Sequence, residues 1–126
     1  MVMYARDFKL IIPITAQENI RDVERKMSEH FGGVSTFPLV KGYWVDPDTH
    51  KLVEDENLML SSVRDYSKQE HPYTKLHQDE EFMESLAKEV GAKTHQKSIL
   101  VEEDLVAKCT FVEIHPKARE KYEQVV

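Results

Sequence analysis

The sequence predicts an α+β fold, an antiparallel sheet with two helices on one of its faces. Three observations carry this expectation. Apolar residues alternate with period 2 near the start, the middle and the end of the chain, and helical stripes lie between those stretches. The chain has 126 residues, 40% of them hydrophobic, which suffices for one core without disulfides or metal. Cys109 is the single cysteine, so no disulfide framework or cysteine-rich zinc site competes with that reading.

In chain order, Phe8, Leu10, Ile12 and Ile14 alternate with Asp7, Lys9, Ile11 and Pro13, the pattern of a strand with one strongly apolar face. Ile11 gives that strand a second apolar side, as a central position in a sheet requires. Thr15-Ala16-Gln17-Glu18 then reads as a capping box. Ile20, Val23, Met27 and Phe31 follow at helical spacing, and Gly32-Gly33 supplies the C-cap. Residues 34–45 are β-branched and aromatic and predict a strand, with Pro38 marking an edge, a bulge or a beginning. Asp46-Pro47-Asp48-Thr49-His50 has turn chemistry. Leu52–Val53 and Leu58–Val63 read as a returning strand, interrupted near Asp55–Asn57.

Ser67 to Gln78 is polar, broken by Pro72, and reads as a linker. A second helix is expected from Asp79 to about Val90, with Phe82, Leu86 and Val90 on its apolar stripe. Asp79, Glu80 and Glu81 would sit in its first turn and Gly91 at its end. Ser98–Val101 and Leu105–Ile114 are expected to pair around an acidic turn at Glu102-Glu103-Asp104. The order β-α-β-β-α-β(-β) is that of a ferredoxin-like two-layer sandwich. We expect residues 1–115 to form a single domain and 116–126 a tail or short helix. Such a fold hosts many unrelated functions, so it gives no functional warrant alone.

The formal net charge is -6, spread evenly along the chain. An acidic balance disfavours nucleic acid, whose phosphates require a basic face. Arg21, Arg25 and Lys26 alternate with Asp22, Glu24 and Glu29 on the first helix, so that segment reads as a solvated face. The longest strongly apolar stretch is Leu10 to Ile14, far short of the roughly 20 residues that cross a bilayer. Arg6, Asp7 and Lys9 interrupt any signal-peptide core, so the expected location is cytoplasmic.

Catalytic motifs are absent: there is no GxSxG, Walker loop, GxGxxG or HExxH. His71 and His77 lie near Glu70, Asp79, Glu80 and Glu81, which is suitable chemistry for a divalent ion, yet their spacing fits neither a helical nor a strand ligand pair. No metal and no cofactor are expected. Asp46, Asp48, Glu54, Asp55 and Glu56 begin like a calcium loop, but Lys51 stands where such a loop needs glycine and Asn57 where it needs glutamate. They read instead as charges that keep a sheet edge soluble. Cys109 shares a strand face with Ala107 and Phe111 and reads as a small buried hydrophobe.

The informative anomaly is the aromatic strand. Phe37, Leu39, Tyr43 and Val45 alternate with Val40 and Trp44, so both of its faces are apolar, while two helices can cover only one face of a sheet. Either the C-terminal tail folds back over the other face, or that face meets a partner. Phe37, Val40, Tyr43 and Trp44 are therefore the candidate interface or ligand patch. The function expected is a non-catalytic, self-associating module, with a small molecule or protein as a further partner. The competing class is a small enzyme using Tyr43, Asp46, His71 or His77 as acid–base groups, with or without a metal.

Overall fold

Strand β1 spans Ala5–Pro13, and its even-numbered residues point into the core: Phe8, Leu10 and Ile12 are fully buried. In this computed structural model, residues 4–14, 17–106 and 109–120 are described, apart from the side chains of Gln17 and Leu39. Helix α1 (Gln17–Phe31) lays Ile20, Val23, Met27 and Phe31 onto the sheet, chiefly over β3, the stripe expected from the 3.6-residue period. The Thr15 half of the expected capping box lies outside the described residues. At the other end Gly32 adopts φ +94° and its N–H returns to the Ser28 carbonyl at 2.8 Å, a left-handed helix stop.

Strands β2 (Ser35–Val45) and β3 (Leu52–Asp65) form a long hairpin. Its turn is held by Asp46, whose carboxylate accepts from the Asp48 N–H at 2.8 Å and whose carbonyl accepts from the His50 N–H at 2.8 Å. The pairing register shifts between Phe37 and Val40, so Pro38, which has no N–H to donate, sits within a β-bulge. β3 runs unbroken through Asp55–Asn57, where an interruption was expected. Those polar residues stay in the strand because β2 pairs with them: Glu56 faces Lys41, and the Asn57 side chain donates to the Val40 carbonyl at 3.3 Å across the bulge.

A 3-10 turn at Tyr66–Lys68 leads into helix α2, which spans Pro72–Lys93. It begins seven residues before the expected Asp79. Pro72 does not break a linker there; it occupies the first helical turn, where the missing N–H costs nothing. Asp79, Glu80 and Glu81 thus lie inside the helix, and Asp79 is fully buried beside Met83, Leu86 and Val90. Gly91 does not end the helix either. A Cβ there would meet Ile99 Cγ1 at 3.3 Å, so glycine allows the following connection to cross close by. The stop comes at Thr94, whose hydroxyl donates to the Val90 carbonyl at 2.7 Å, and at His95, which takes the left-handed φ of 55°.

Strand β4 (Leu100–Val106) contains Glu102-Glu103-Asp104, which the sequence suggested as a turn. β1 explains the difference. Its basic residues receive the acids across the ladder: Arg6 Nε lies 3.3 Å from Glu103, and Lys9 Nζ lies 2.7 Å from Asp104. Residues 109–115 form no strand, so the expected second strand to Ile114 is not formed there, and Cys109 is half-buried on an irregular segment. A short helix α3 covers Pro116–Glu120.

The sheet order is β2-β3-β1-β4, every neighbouring pair antiparallel, with α1 and α2 on one face. This is the ferredoxin-like α+β sandwich. The core lies between sheet and helices, where Phe8 stacks on Phe31 at 5.2 Å and Phe31 meets Phe82 edge-on at 5.6 Å. No helix among the described residues is long and apolar enough to cross a membrane.

Candidate functional site

Register decides which side chains leave the core. Ile12, Leu10 and Phe8 pair with Leu58, Leu60 and Ser62 on the helical side, so Ile11, Lys9 and Asp7 share the opposite face with Met59, Ser61 and Val63. On β2, Phe37 faces Met59, Val40 faces Asn57 and Trp44 faces Val53, which places these three on the uncovered face. Tyr43 is opposite Glu54 and points the other way. The bulge is responsible: without the register shift, odd-numbered Phe37 and even-numbered Val40 and Trp44 would lie on different faces.

That face divides in two. Toward β2 and β3 it is apolar, with Phe37 46% and Trp44 45% exposed and Val40 half-buried. Toward β1 and β4 it is charged: Lys9 lies between Asp104 and Asp7, and the Ser61 hydroxyl donates to Asp7 at 2.5 Å. Asp104 holds the Lys9 ammonium above its usual pKa.

At one end of the apolar half, the β2–β3 hairpin and the α2–β4 connection border a groove of about 650 Å³. Trp44 and Pro47 form one wall, His95 to Ile99 the other, and Ile11, Pro13 and Leu100 the apolar lining. The indole is held in place by its N–H, which donates to Asp55 Oδ2 at 2.5 Å. Gly42 keeps the edge low: a Cβ there would sit 3.3 Å from the Asn57 amide. Lys97 and Asp48 approach to 3.6 Å across the outer rim, both solvated. The chemistry on offer is an aromatic surface beside one carboxylate, two side-chain amides (Asn57 and Gln96) and a flanking ammonium.

Of the acid–base set suggested by the sequence, only Tyr43 borders this groove. Tyr43 and Asp46 belong to the hairpin. His71 precedes α2 and His77 lies in its second turn, bonded to Glu81 at 3.0 Å. α2 has 22 residues, roughly 33 Å of helix, and the groove is at its far end. Among the described residues no three His, Cys, Asp or Glu side chains gather as metal ligands.

Sequence reasoning missed a buried polar cluster on the helical side. Asp79, with no solvent exposure, accepts from Arg64 Nε at 2.8 Å, Arg64 Nη2 at 3.0 Å, the Tyr66 hydroxyl at 2.6 Å and His30 Nε2 at 2.8 Å. Arg64 also donates to the His30 carbonyl at 2.9 Å, so the last turn of α1, the end of β3 and the middle of α2 are tied at one point. Burial pushes the Tyr66 phenol far up, reinforced by the carboxylate it donates to. Burial, including a face-to-face stack on Phe82 at 3.9 Å, lowers the His30 pKa below its ordinary 6.5 and outweighs the opposing pull of Asp79. His30 is therefore neutral and its Nε2–H donates. The signal was present in the sequence: Asp79 stands on the stripe of Met83, Leu86 and Val90, a core position held by an acid.

No protein-family model and no curated relative matches the sequence. Solved structures do resemble the fold. A phage SAM lyase in complex with S-methyl-5'-thioadenosine has a TM-score of 0.56 at 12% identity, over 83% of this chain and 84% of that one. The divalent cation tolerance protein CutA1 from Thermus thermophilus has 0.54 at 16% identity, over 84% and 87%. CutA1 from Oryza sativa has 0.54 at 13%, over 86% and 84%. At such identities the likeness is one of fold, and the chain has the ferredoxin-like α+β fold of the CutA1 proteins.

Proposed function

We propose that this chain is a homo-oligomeric binding module. It packs its uncovered sheet face against other copies and takes a small molecule in the groove beside Trp44. The observation that carries this reading is the uncovered face itself, where Phe37, Val40 and Trp44 stand opposite the helices. Phe111 approaches the start of β2 but is 73% exposed, so the described part of the tail leaves Phe37 and Trp44 open to solvent. Half-exposed aromatic groups backed by a rigid sheet are favoured anchors for association. In the groove, the indole offers a stacking surface, while Asp55 and Asn57 accept N–H donors. That combination fits a flat heterocycle bearing amino groups, the chemical class of the adenosine derivative in the phage lyase structure.

Trp44 is the single tryptophan, so its emission reports on the face directly. Sedimentation of the full chain from 1 to 100 µM should show a species larger than the monomer, with F37A and W44A shifted toward monomer. Titration with S-methyl-5'-thioadenosine should change Trp44 emission. A monomer throughout that range would overturn the association, and unchanged emission at millimolar nucleoside would overturn the ligand class.

A further inference from the structure

On β4, Val101 and Glu103 stand opposite Leu10 and Phe8, so both point to the helical side, and Ile99 packs against the core just before them. The side of α2 that faces them repeats at helical spacing as Glu80, Glu84, Ala87 and Gly91. Between the two runs lies an open groove of about 580 Å³. From Glu80 to Gly91 it follows about 16 Å of helix, at roughly 1.5 Å per residue. Its floor is apolar, and its ends differ in charge. Lys88 is taken by Glu84 at 3.1 Å, and Lys97, beyond Gly91, by Asp48 at 3.6 Å. Glu80 forms no ion pair with a basic group among the described residues; its neighbour is Glu103, to which it is hydrogen-bonded. Arg6 reaches Glu103 from β1 at 3.3 Å, and the nearby Tyr66 phenol is already given to Asp79. One cation thus serves two carboxyls. They can share a hydrogen bond only while one keeps its proton, and burial together with Glu80 makes Glu103 that one by raising its pKa.

We infer that this groove binds a small organic ammonium ion, its charged head at Glu80 and Glu103 and its apolar body along Ala87, Gly91 and Val101. Such a ion supplies what each end lacks. Its N–H groups donate to both carboxylates in place of the shared proton, as charge-assisted hydrogen bonds. Its hydrocarbon covers Ile99 and Val101, which are only half-buried. An inorganic cation would leave that floor in water, a neutral alcohol would leave the second carboxylate unbalanced, and a carboxylate ligand would add a third negative charge. Residues 96–99 divide this groove from the one beside Trp44, so the site does not depend on the ligand or the association proposed for the sheet face.

The probes are hexylamine, hexanol and hexanoate, titrated into the full chain and followed by calorimetry and by backbone amide NMR shifts. Hexylamine should bind at least tenfold more tightly than the other two, with shifts centred on Ala87, Gly91 and Val101. Its affinity should rise from about pH 5 to about pH 8, where the amine stays charged, because binding expels the proton that the carboxyl pair shares. Glu80→Gln leaves a single carboxyl beside Arg6 and should weaken hexylamine tenfold or more and remove that pH dependence. The same change relieves repulsion within the pair, so lost binding in a fold at least as stable is not lost structure. Ala92→Leu, at an exposed helical position on the groove wall, should weaken hexylamine and hexanol alike. No hexylamine binding, equal binding of hexanol, or unchanged affinity in Glu80→Gln would overturn the proposal. Shifts centred on Trp44 and Asn57 would place the amine in the other groove and overturn it as well. Calcium chloride displacing hexylamine at equal concentration would make the carboxyl pair a metal site and overturn the ligand class.

Discussion

Replacing Asp79 by alanine removes the acceptor of four hydrogen bonds at once, three to Arg64 and Tyr66 and one to His30. The Arg64 side chain is only 12% exposed and would remain charged with its principal partner gone. Breaking a buried pair from one side costs about 3–5 kcal/mol, since the orphaned charge keeps its desolvation penalty. Whole domains of this kind are stable by about 5–15 kcal/mol, so the variant should be near its limit. With a urea slope of about 1.5 kcal/mol/M, a loss of about 4 kcal/mol moves the midpoint down by more than about 2 M. Tyr66→Phe loses one bond to the same carboxylate and should cost about 1.5–3 kcal/mol. The assay is urea unfolding followed by circular dichroism for D79A, Y66F, R64A and the R64A/D79A pair. The double variant should lose much less than the sum of the singles, because the orphaned charge has gone too. A D79A loss below about 1 kcal/mol, or additive singles, would refute the account of this cluster as a buried clamp.

Three further outcomes follow from individual groups. His30 is held neutral, so its folded pKa is below 6.5 and the unfolded chain binds the extra proton. Stability is therefore complete above pH 6.5 and falls on acidification through the window below it, and His30→Gln should flatten that part of a melting-temperature–pH curve. Glu103 has the opposite sign: burial and the neighbouring Glu80 carboxyl raise its pKa above 4.5 against the pull of Arg6, so its stability contribution is lost as pH rises through the shifted value. Glu80→Gln should consequently raise the melting temperature at about pH 8 and leave it unchanged at about pH 4, as thermal scans at both pH values will show. Gly32→Ala forces a side chain into φ +94° and should cost about 1 kcal/mol in urea titrations, whereas Gly33→Ala, with open space around its Cβ and no positive φ, should change stability by only a few tenths.

The parts of the fold legible in the sequence were those that local patterns encode. β1 and α1 alternate and repeat against one core face, and Gly32 stops the helix by a conformation that few other residues adopt cheaply. The parts that were not legible depended on a partner distant in the chain. Glu102-Glu103-Asp104 reads as a turn until Arg6 and Lys9, nearly a hundred residues earlier, are set opposite it. Asp79 reads as a helix-dipole residue until Arg64, Tyr66 and His30 enclose it. Pro72 marks a helix start and a broken linker equally well, and only the burial of the helix it opens separates the two. The surplus of apolar side chains on β2 was legible, but the face each one occupies was not, because one bulge inverts the alternation between Phe37 and Val40.

That inversion bears on function. Uninterrupted alternation from Phe37 would put Tyr43 on the uncovered face and send Val40 and Trp44 to the helical side. The extra residue instead collects Phe37, Val40 and Trp44 on one surface, and Asn57 secures it by donating to the Val40 carbonyl while Asp55 fixes the indole. A side chain from a supposed strand interruption and an acid from a supposed solubilising cluster are thus the groups that shape the aromatic face. Asn57→Ala removes the tie across the bulge without touching the core. If the bulge sets the face, this variant should alter Trp44 emission and weaken association while the melting temperature falls by only a few degrees, the scale of one lost hydrogen bond. Wild-type emission and association in Asn57→Ala would mean that the proline alone maintains the register and that the Asn57 amide has no part in shaping the face.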